Sequence, residues 1–426
     1  MTNWVIAFLP LALLALGFPF FLVLLATTVT VFAFLSTVPA TVIHQVMFAA
    51  LDKYALLAVP FFLFAGDLMG RGGVSERLVR WVTSMIGGVR GHLPLTSLGT
   101  AVVFSAISGS TAATTAAVGS LTYSRLRAAG YNERFSSGLL ISAGAVDNLI
   151  PPSIGFILYS MASETSVLRL FAAGVFPGLV LAVFFAVYIY LYAVWRRESP
   201  GGSSFRLSEF LAATRHGTWS IIAPVVVLGG IYTGVFSPTE AAGVACVYAM
   251  FVTVLVYREI SPGELFRIAA RTMYLTAQIF CIVAVAAVYS WLLTVNGVAA
   301  IVVGFIQGLD LQMWTVLLAI NLLLLLVGMV LDTASAILVL TPLLLPIVKA
   351  FDVDLVHFGV IVVMNLSIGG FTPPFGVNIF VGQAVFRTPL ASIYAGVLPF
   401  IAIAVGALAV TTYVPSLSLW IVQFLR

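Results

Sequence analysis

Apolar residues fill long runs at 4–38, 179–195, 217–235 and 276–294. Each matches or exceeds the ~17–25 residues a helix needs to cross a bilayer. The first run holds one span or two, with a break at Gly17-Phe18-Pro19; further spans are expected at about 55–70, 172–195, 239–257 and 391–414. Two segments break the pattern. Residues 95–122 are small and polar for a span, reading Ser105-Ala106-Ile107-Ser108-Gly109-Ser110-Thr111 at their centre, and both flanks are basic. A segment with basic residues at both ends enters and leaves on one side, so a re-entrant hairpin with its tip near 108–111 is predicted. Residues 135–163 form a further span with a polar, proline-rich break at 148–153.

The same pattern returns 222 residues later without a gap. Pro151-Pro152 recurs as Pro373-Pro374, Thr111-Ala112 as Thr333-Ala334, and Ala173-Gly174-Val175-Phe176-Pro177 as Ala395-Gly396-Val397-Leu398-Pro399. A second hairpin is therefore expected at about 313–347, with its tip at Asp332-Thr333, and a second broken span at 356–385. In a membrane chain, interrupted apolar segments at matching places of two halves point to a secondary transporter and to its binding site.

Composition agrees: 62% of residues are hydrophobic and 8% charged, against about 25% charged in soluble proteins. This is the make-up of an all-α polytopic membrane protein. The first basic residue is Lys53, so no basic segment marks a cleavable signal. Cys246 and Cys281 stand alone in apolar segments and are read as packing residues. Fifteen of the 19 Lys and Arg residues fall on one side of the trial topology, leaving Lys53, Arg169, Lys349 and Arg426 on the other. The basic side is cytoplasmic by the positive-inside rule. Three crossings, at 217–235, 239–257 and 272–294, separate the halves. An odd number turns the second copy over, and the result is an inverted-topology repeat. The organisation is thus 1–94 as scaffold spans with an arm helix, 95–195 as the first repeat, 196–312 as scaffold spans and arm helices, and 313–426 as the second repeat. About eleven spans are expected, braced by basic interfacial helices near 71–92 and 204–216.

The breaks carry the chemistry. A proline lacks an N–H and clashes with the carbonyl four residues back. The two pairs should therefore free the carbonyls of Asp147 and Asn148, and of Gly369 and Gly370. Freed carbonyls in a low-dielectric interior need a partner, and a dehydrated sodium ion is one. Candidate ligands are Ser108, Ser110, Asp147, Asn148, Asp332, Thr333, Gly369 and Thr372; Thr111, Ser153 and Asn378 are candidate substrate contacts. The alternatives are a plain structural kink at each proline pair and helix capping by either aspartate. Glu240, in Ser237-Pro238-Thr239-Glu240, reads as a helix-start residue. The four histidines are isolated, and no arginine is expected beside the tips. Neither lysine follows a glycine, so a phosphate-binding loop is excluded and transport must be ion-coupled or passive. No nucleophile–base set points to an enzyme.

The motifs Pro60-Phe61-Phe62-Leu63-Phe64-Ala65-Gly66-Asp67-Leu68-Met69, Ser108-Gly109-Ser110-Thr111-Ala112-Ala113-Thr114, Leu149-Ile150-Pro151-Pro152-Ser153, Ser237-Pro238-Thr239-Glu240-Ala241-Ala242 and Gly370-Phe371-Thr372-Pro373-Pro374-Phe375-Gly376 together resemble the large, DctM-type membrane subunit of TRAP (tripartite ATP-independent periplasmic) transporters. The resemblance spans almost the whole chain. It implies an elevator-type fold of the ion-transporter superfamily and sodium-driven import of small organic acids across the bacterial inner membrane. It also implies two or more sodium ions at the hairpin-tip and broken-helix sites. Two partners follow from it: a small four-helix membrane subunit, expected as a separate polypeptide, and a periplasmic substrate-binding protein. The alternative is a stand-alone citrate- or dicarboxylate-type carrier of the same superfamily.

Overall fold

The computed structural model describes residues 2–35, 38–196 and 205–425. Arg197 and Arg426, two of the residues that orient the chain, lie outside the described residues. The described residues form helices and no strands. The first apolar run splits into α1 (Thr2–Ala15) and α2 (Phe20–Phe34). The split falls where Gly17 adopts a φ of 82°, open to glycine because it lacks a Cβ. Then come α3 (Thr41–Leu51), α4 (Ala58–Arg71) and α5 (Val74–Ile86). Helix α5 buries Val74, Leu78, Val79 and Val82 and keeps Arg80 exposed, the amphipathic stripe of an arm lying on a protein surface. Its Arg77 pairs with Glu259 at 2.7 Å and lies over the Tyr257 ring at 3.6 Å.

The first repeat holds α6 (His92–Ser108), α7 (Thr111–Ala128), α8 (Glu133–Ala143), α9 (Ile154–Ser163) and α10 (Val167–Trp195). The middle of the chain gives α11 (Leu207–Tyr232), α12 (Pro238–Met250), α13 (Pro262–Val295) and α14 (Val298–Gly308). The second repeat holds α15 (Met313–Gly328), α16 (Thr333–Ala350), α17 (Leu355–Gly369), α18 (Val377–Phe386) and α19 (Leu390–Tyr413).

The 222-residue offset fixes element boundaries as well as motifs. Helices α7 and α16 start and end at equivalent residues, and α8 and α17 start at equivalent residues. The correspondence reaches upstream of the expected repeat, carrying α5 onto α14 to within two residues at its start.

Two expectations change. The interfacial helix near 204–216 and the crossing at 217–235 are one helix, α11, because the lone Gly217 between them does not stop a helix. Likewise the crossing expected at 272–294 belongs to a longer helix, α13, which begins at Pro262, is capped by Ser261 and contains Arg267 and Arg271. Seven helices among the described residues are long and apolar enough to cross a membrane, against about eleven expected. The breaks divide several spans into shorter helices such as α9, α17 and α18. At α12, Ser237 and Glu240 form a reciprocal capping box, the helix-start role read from the motif.

The two repeats interlock. Helix α8 packs against α19, α7 against α18, and α9 against α16. At the first crossing, a Cβ on Gly138 would overlap the Gly396 carbonyl, and one on Gly396 the Arg134 carbonyl. Only glycines allow backbones this close. Helix α17 is buried from Val356 to Gly369. It is enclosed on all sides, packed against α9, α10, α15, α16 and α19, which places it at the centre of the bundle.

Candidate functional site

A cavity of about 720 Å³ lies between both tips and both breaks. One wall carries Ser110 and Thr111 from the first tip, Asp332 and Thr333 from the second, and Asn148 and Asn378 from the two breaks. The facing wall is α13, with Tyr274, Gln278 and Cys281. Thr111 donates from Oγ1 to Asn378 Oδ1 at 2.9 Å, tying the first tip to the second break.

In the first repeat, Gly109 turns the chain at a φ of 67°. A Cβ there would come within 2.7 Å of the Pro152 carbonyl, so tip and break touch through backbone. Ser110 caps α7 by accepting from the Ala113 N–H. Asp147 is fully buried; Thr114 Oγ1 donates to its Oδ1 at 2.7 Å, while Oδ2 has no hydrogen-bond partner among the described residues. Thr115 Oγ1 is also buried without a partner, and it packs with the Thr111 carbonyl against Gly144, in the turn just before Asp147. The N–H groups of Leu149 and Ile150 both turn back to the Val146 carbonyl. No backbone N–H among the described residues bonds to the carbonyls of Asp147 or Asn148, as the proline pair predicts.

The second repeat solves the same backbone differently. Both proline pairs have a cis peptide bond. Here, however, the Gly369 carbonyl accepts from the Thr372 N–H and the Gly370 carbonyl from the Asn378 N–H, each at 2.9 Å. The expectation that both are freed is therefore corrected: the loop folds back and its own amides use them. Gly369 stands where Asp147 stands in the first copy, and it packs on the Gly328 backbone so closely that a Cβ would overlap it. The carboxylate has moved to the tip. Asp332 is exposed to the cavity and caps α16, accepting from the Ser335 N–H at 3.0 Å and from Ser335 Oγ at 2.5 Å. Thr372 is buried and donates to the Ile368 carbonyl at 2.7 Å.

The candidate residues therefore divide. Ser110, Thr111, Asn148, Asp332, Thr333 and Asn378 border the cavity. Ser108, Asp147, Gly369 and Thr372 lie buried behind it. Ser153 is also buried, and its hydroxyl accepts from the Phe156 N–H as the cap of α9.

Other residues emerge only from packing. Thr114 and Thr115 sit one turn beyond the first tip, a spacing that returns them to the face of the tip. Arg271, Gln278 and Cys281 fall on one face of α13, at helical intervals along an apolar sequence. Cys281 is exposed and lines the cavity, unlike Cys246, which is buried against the Phe61 carbonyl. Arg271 corrects the expectation that no arginine stands near a tip: it lines an adjoining chamber together with Ser108 and Ser110.

The chain matches the family described as "Tripartite ATP-independent periplasmic transporter, DctM component" over residues 7–417. It is 38% identical over 373 residues to the C4-dicarboxylate TRAP transporter large permease protein DctM of Pseudomonas aeruginosa, covering 88% of this chain and 87% of that one. It is 37% identical over 384 residues to the isethionate TRAP transporter permease protein DctMQ of Oleidesulfovibrio alaskensis. That match covers 90% of this chain but spans 60% of the relative's length. Among solved structures, the Alcanivorax borkumensis YdaH transporter shares the fold, with a TM-score of 0.67 at 14% identity over 91% of this chain and 90% of that one.

Proposed function

The chain belongs to the DctM family of TRAP transporter large membrane subunits, and on that premise we propose that it imports small organic anions coupled to sodium. The family makes it a multi-pass membrane transport protein and not an enzyme. The observation that carries the coupling is the buried, half-satisfied carboxylate of Asp147. Its free Oδ2, the unpartnered Thr115 hydroxyl and the unbonded carbonyls of Asp147 and Asn148 are all oxygens. A buried charge left in this state is costly unless a cation or proton completes it. An all-oxygen, singly charged donor set fits a hard monovalent cation.

In the second repeat, Asp332, Thr333 and Thr372 are the corresponding donors. The cargo is read as a carboxylate or sulfonate held in the central cavity near Thr111, Asn148 and Asn378. Bringing one negative charge into a negative cell costs about 2.3 kcal/mol per 100 mV. Two cation sites therefore balance a dianion, and a third ion would make uptake electrogenic.

Movement follows the elevator scheme. The two helix–turn–helix tips act as re-entrant hairpins entering from opposite faces, and they travel with the broken helices against α11, α12 and α13. A periplasmic binding protein delivers the anion, and a small four-helix membrane subunit steadies the scaffold in the bacterial inner membrane.

The reading is tested in proteoliposomes holding the chain with its small subunit and binding protein. Uptake of succinate or isethionate should require an inward sodium gradient and the binding protein. Uptake driven equally by a proton gradient without sodium would replace the ion. Uptake without any binding protein would favour the stand-alone carrier.

A further inference from the structure

Beside the central cavity lies a chamber of about 440 Å³, between α4, α7, α13 and α18. The two spaces share Leu63, Ser110, Ala112 and Leu275 in their walls, so they are neighbours across the first tip. A third chamber, of about 310 Å³, borders α13 at Val283–Ser290, farther along the same helix. The outer two chambers are copies of each other. Ala116, Ser120, Arg271, Thr272 and Leu275 line the first; their partners 222 residues away, Leu338, Pro342, Ala49, Ala50 and Lys53, line the second. The duplication therefore produces two equivalent vestibules, one adjoining the central cavity and one farther along α13.

The charges of the two vestibules differ. The second faces Lys53 and Glu164, one of each sign. The first faces Asp67, Arg71 and Arg271. Asp67 and Arg71 neutralise each other at 2.9 Å, whereas Arg271 has no hydrogen bond or ion pair among the described residues. Arg271 is exposed, and the chamber it lines is also walled by Leu63, Leu275, Val381 and Val385; low-dielectric walls of this kind focus the field of a charge into the cleft. A guanidinium also offers two parallel donors to a carboxylate or sulfonate.

We propose that this chamber is a second anion-binding station, with Arg271 as its fixed charge, which receives the organic anion as it leaves the central cavity toward the basic side of the protein. The station rests on the organic-anion reading above, but its electrostatics can be measured without transport. Arg71 lines the same chamber but is engaged with Asp67.

The test uses the full-length chain in membranes, with Cys281→Ser and Ser120→Cys placing one reactive thiol in the chamber; Cys246 stays buried. The anionic probe 2-sulfonatoethyl methanethiosulfonate is compared with the cationic probe 2-(trimethylammonio)ethyl methanethiosulfonate. Charge-focusing clefts concentrate counter-ions by about 10-fold or more, so the anion-to-cation rate ratio should fall by about that factor in Arg271→Gln and be kept in Arg271→Lys. The same ratio at native Cys281, with Ser120 intact, should change by less than about threefold, because the charge acts mainly within its own chamber. A ratio at Ser120→Cys that does not respond to Arg271→Gln overturns the station, as does an equal response at both thiols. In the reconstituted complex, Arg271→Gln should lower the maximal uptake rate of succinate while leaving its external half-saturation unchanged. A change in external half-saturation alone would place Arg271 at the entry step and contradict the proposal. A wild-type complex that takes up no organic anion would instead sink the reading beneath it, whatever the thiol rates show.

Discussion

The two copies of the repeat share a backbone and divide the chemistry between them. In the first, the carboxylate sits in the break: Asp147 is buried, one oxygen held by Thr114 and the other unpaired, beside carbonyls that no amide uses. In the second, the break holds Gly369 and Gly370, whose carbonyls are taken by the loop's own amides, and the carboxylate stands on the tip as Asp332. Repetition thus conserves the helix ends and the proline pair, while the side chains at equivalent positions decide how many oxygens are left without a partner at each break. The first copy has a set of oxygens waiting for a partner. In the second, the Gly369 and Gly370 carbonyls are already used, so a cation there would compete with bonds already made.

The difference continues at the far end of the broken helices. Phe135 stacks on Tyr192 with ring centroids 4.0 Å apart, and Arg196 lies 5.8 Å from that ring. At the equivalent position of the second copy, His357 contacts Ser418 Oγ and the Thr412 carbonyl, each at 3.2 Å. Nearby, Asn365 donates to Asn321 at 2.7 Å and Asn321 to Thr412 at 3.1 Å. Aromatic packing buttresses one copy and a buried polar network the other.

This contrast can be broken by mutation. Asp147→Asn removes the charge of the unfinished cradle and should lower sodium-driven uptake by about 100-fold, the size of a lost charged hydrogen-bonding partner; initial rates in proteoliposomes give the answer. Asp332→Asn keeps a good helix cap and should raise the sodium concentration for half-maximal uptake by only about tenfold, since its charge faces an open cavity. If the two aspartates swap in severity, the second copy is the stronger site. Thr114→Val removes the hydrogen bond to Asp147 Oδ1 and should raise the same sodium requirement by about fivefold, near 1 kcal/mol. Thr372→Ala should change it least, by about twofold, because that hydroxyl is engaged with the Ile368 carbonyl. Equal effects of Thr114→Val and Thr372→Ala in sodium titrations would erase the asymmetry.

Much of the architecture was legible because backbone punctuation is local. Gly17, Gly109, the Pro-Pro pairs and the Ser237–Glu240 box each act on their own neighbours, and the breaks and helix starts fall there. What depended on loop closure was not legible. Nothing in Gly369-Gly370-Phe371-Thr372 says that Asn378 will return its amide to Gly370; that follows from the path of the whole loop. Ser153 reads as an available hydroxyl until α9 begins beside it and takes it as a cap. Arg271 stands just before the span expected at 272–294, and only because α13 runs unbroken from Pro262 does it line a chamber. Side chains that face a cavity across a bundle are set by packing between distant segments, and a single sequence does not display that.

The central claim is that the two copies thread the membrane in opposite senses, so that the tips meet from opposite faces. Ala128 and Ala350 are the last residues of α7 and α16, both exposed and equivalent at the 222-residue offset. Each is replaced by cysteine, in a chain lacking Cys281, and intact bacterial cells are treated with a membrane-impermeant maleimide. Opposite threading predicts that Ala350→Cys is labelled from outside while Ala128→Cys reacts only after the membrane is opened. Labelling of both from the same side would contradict the account.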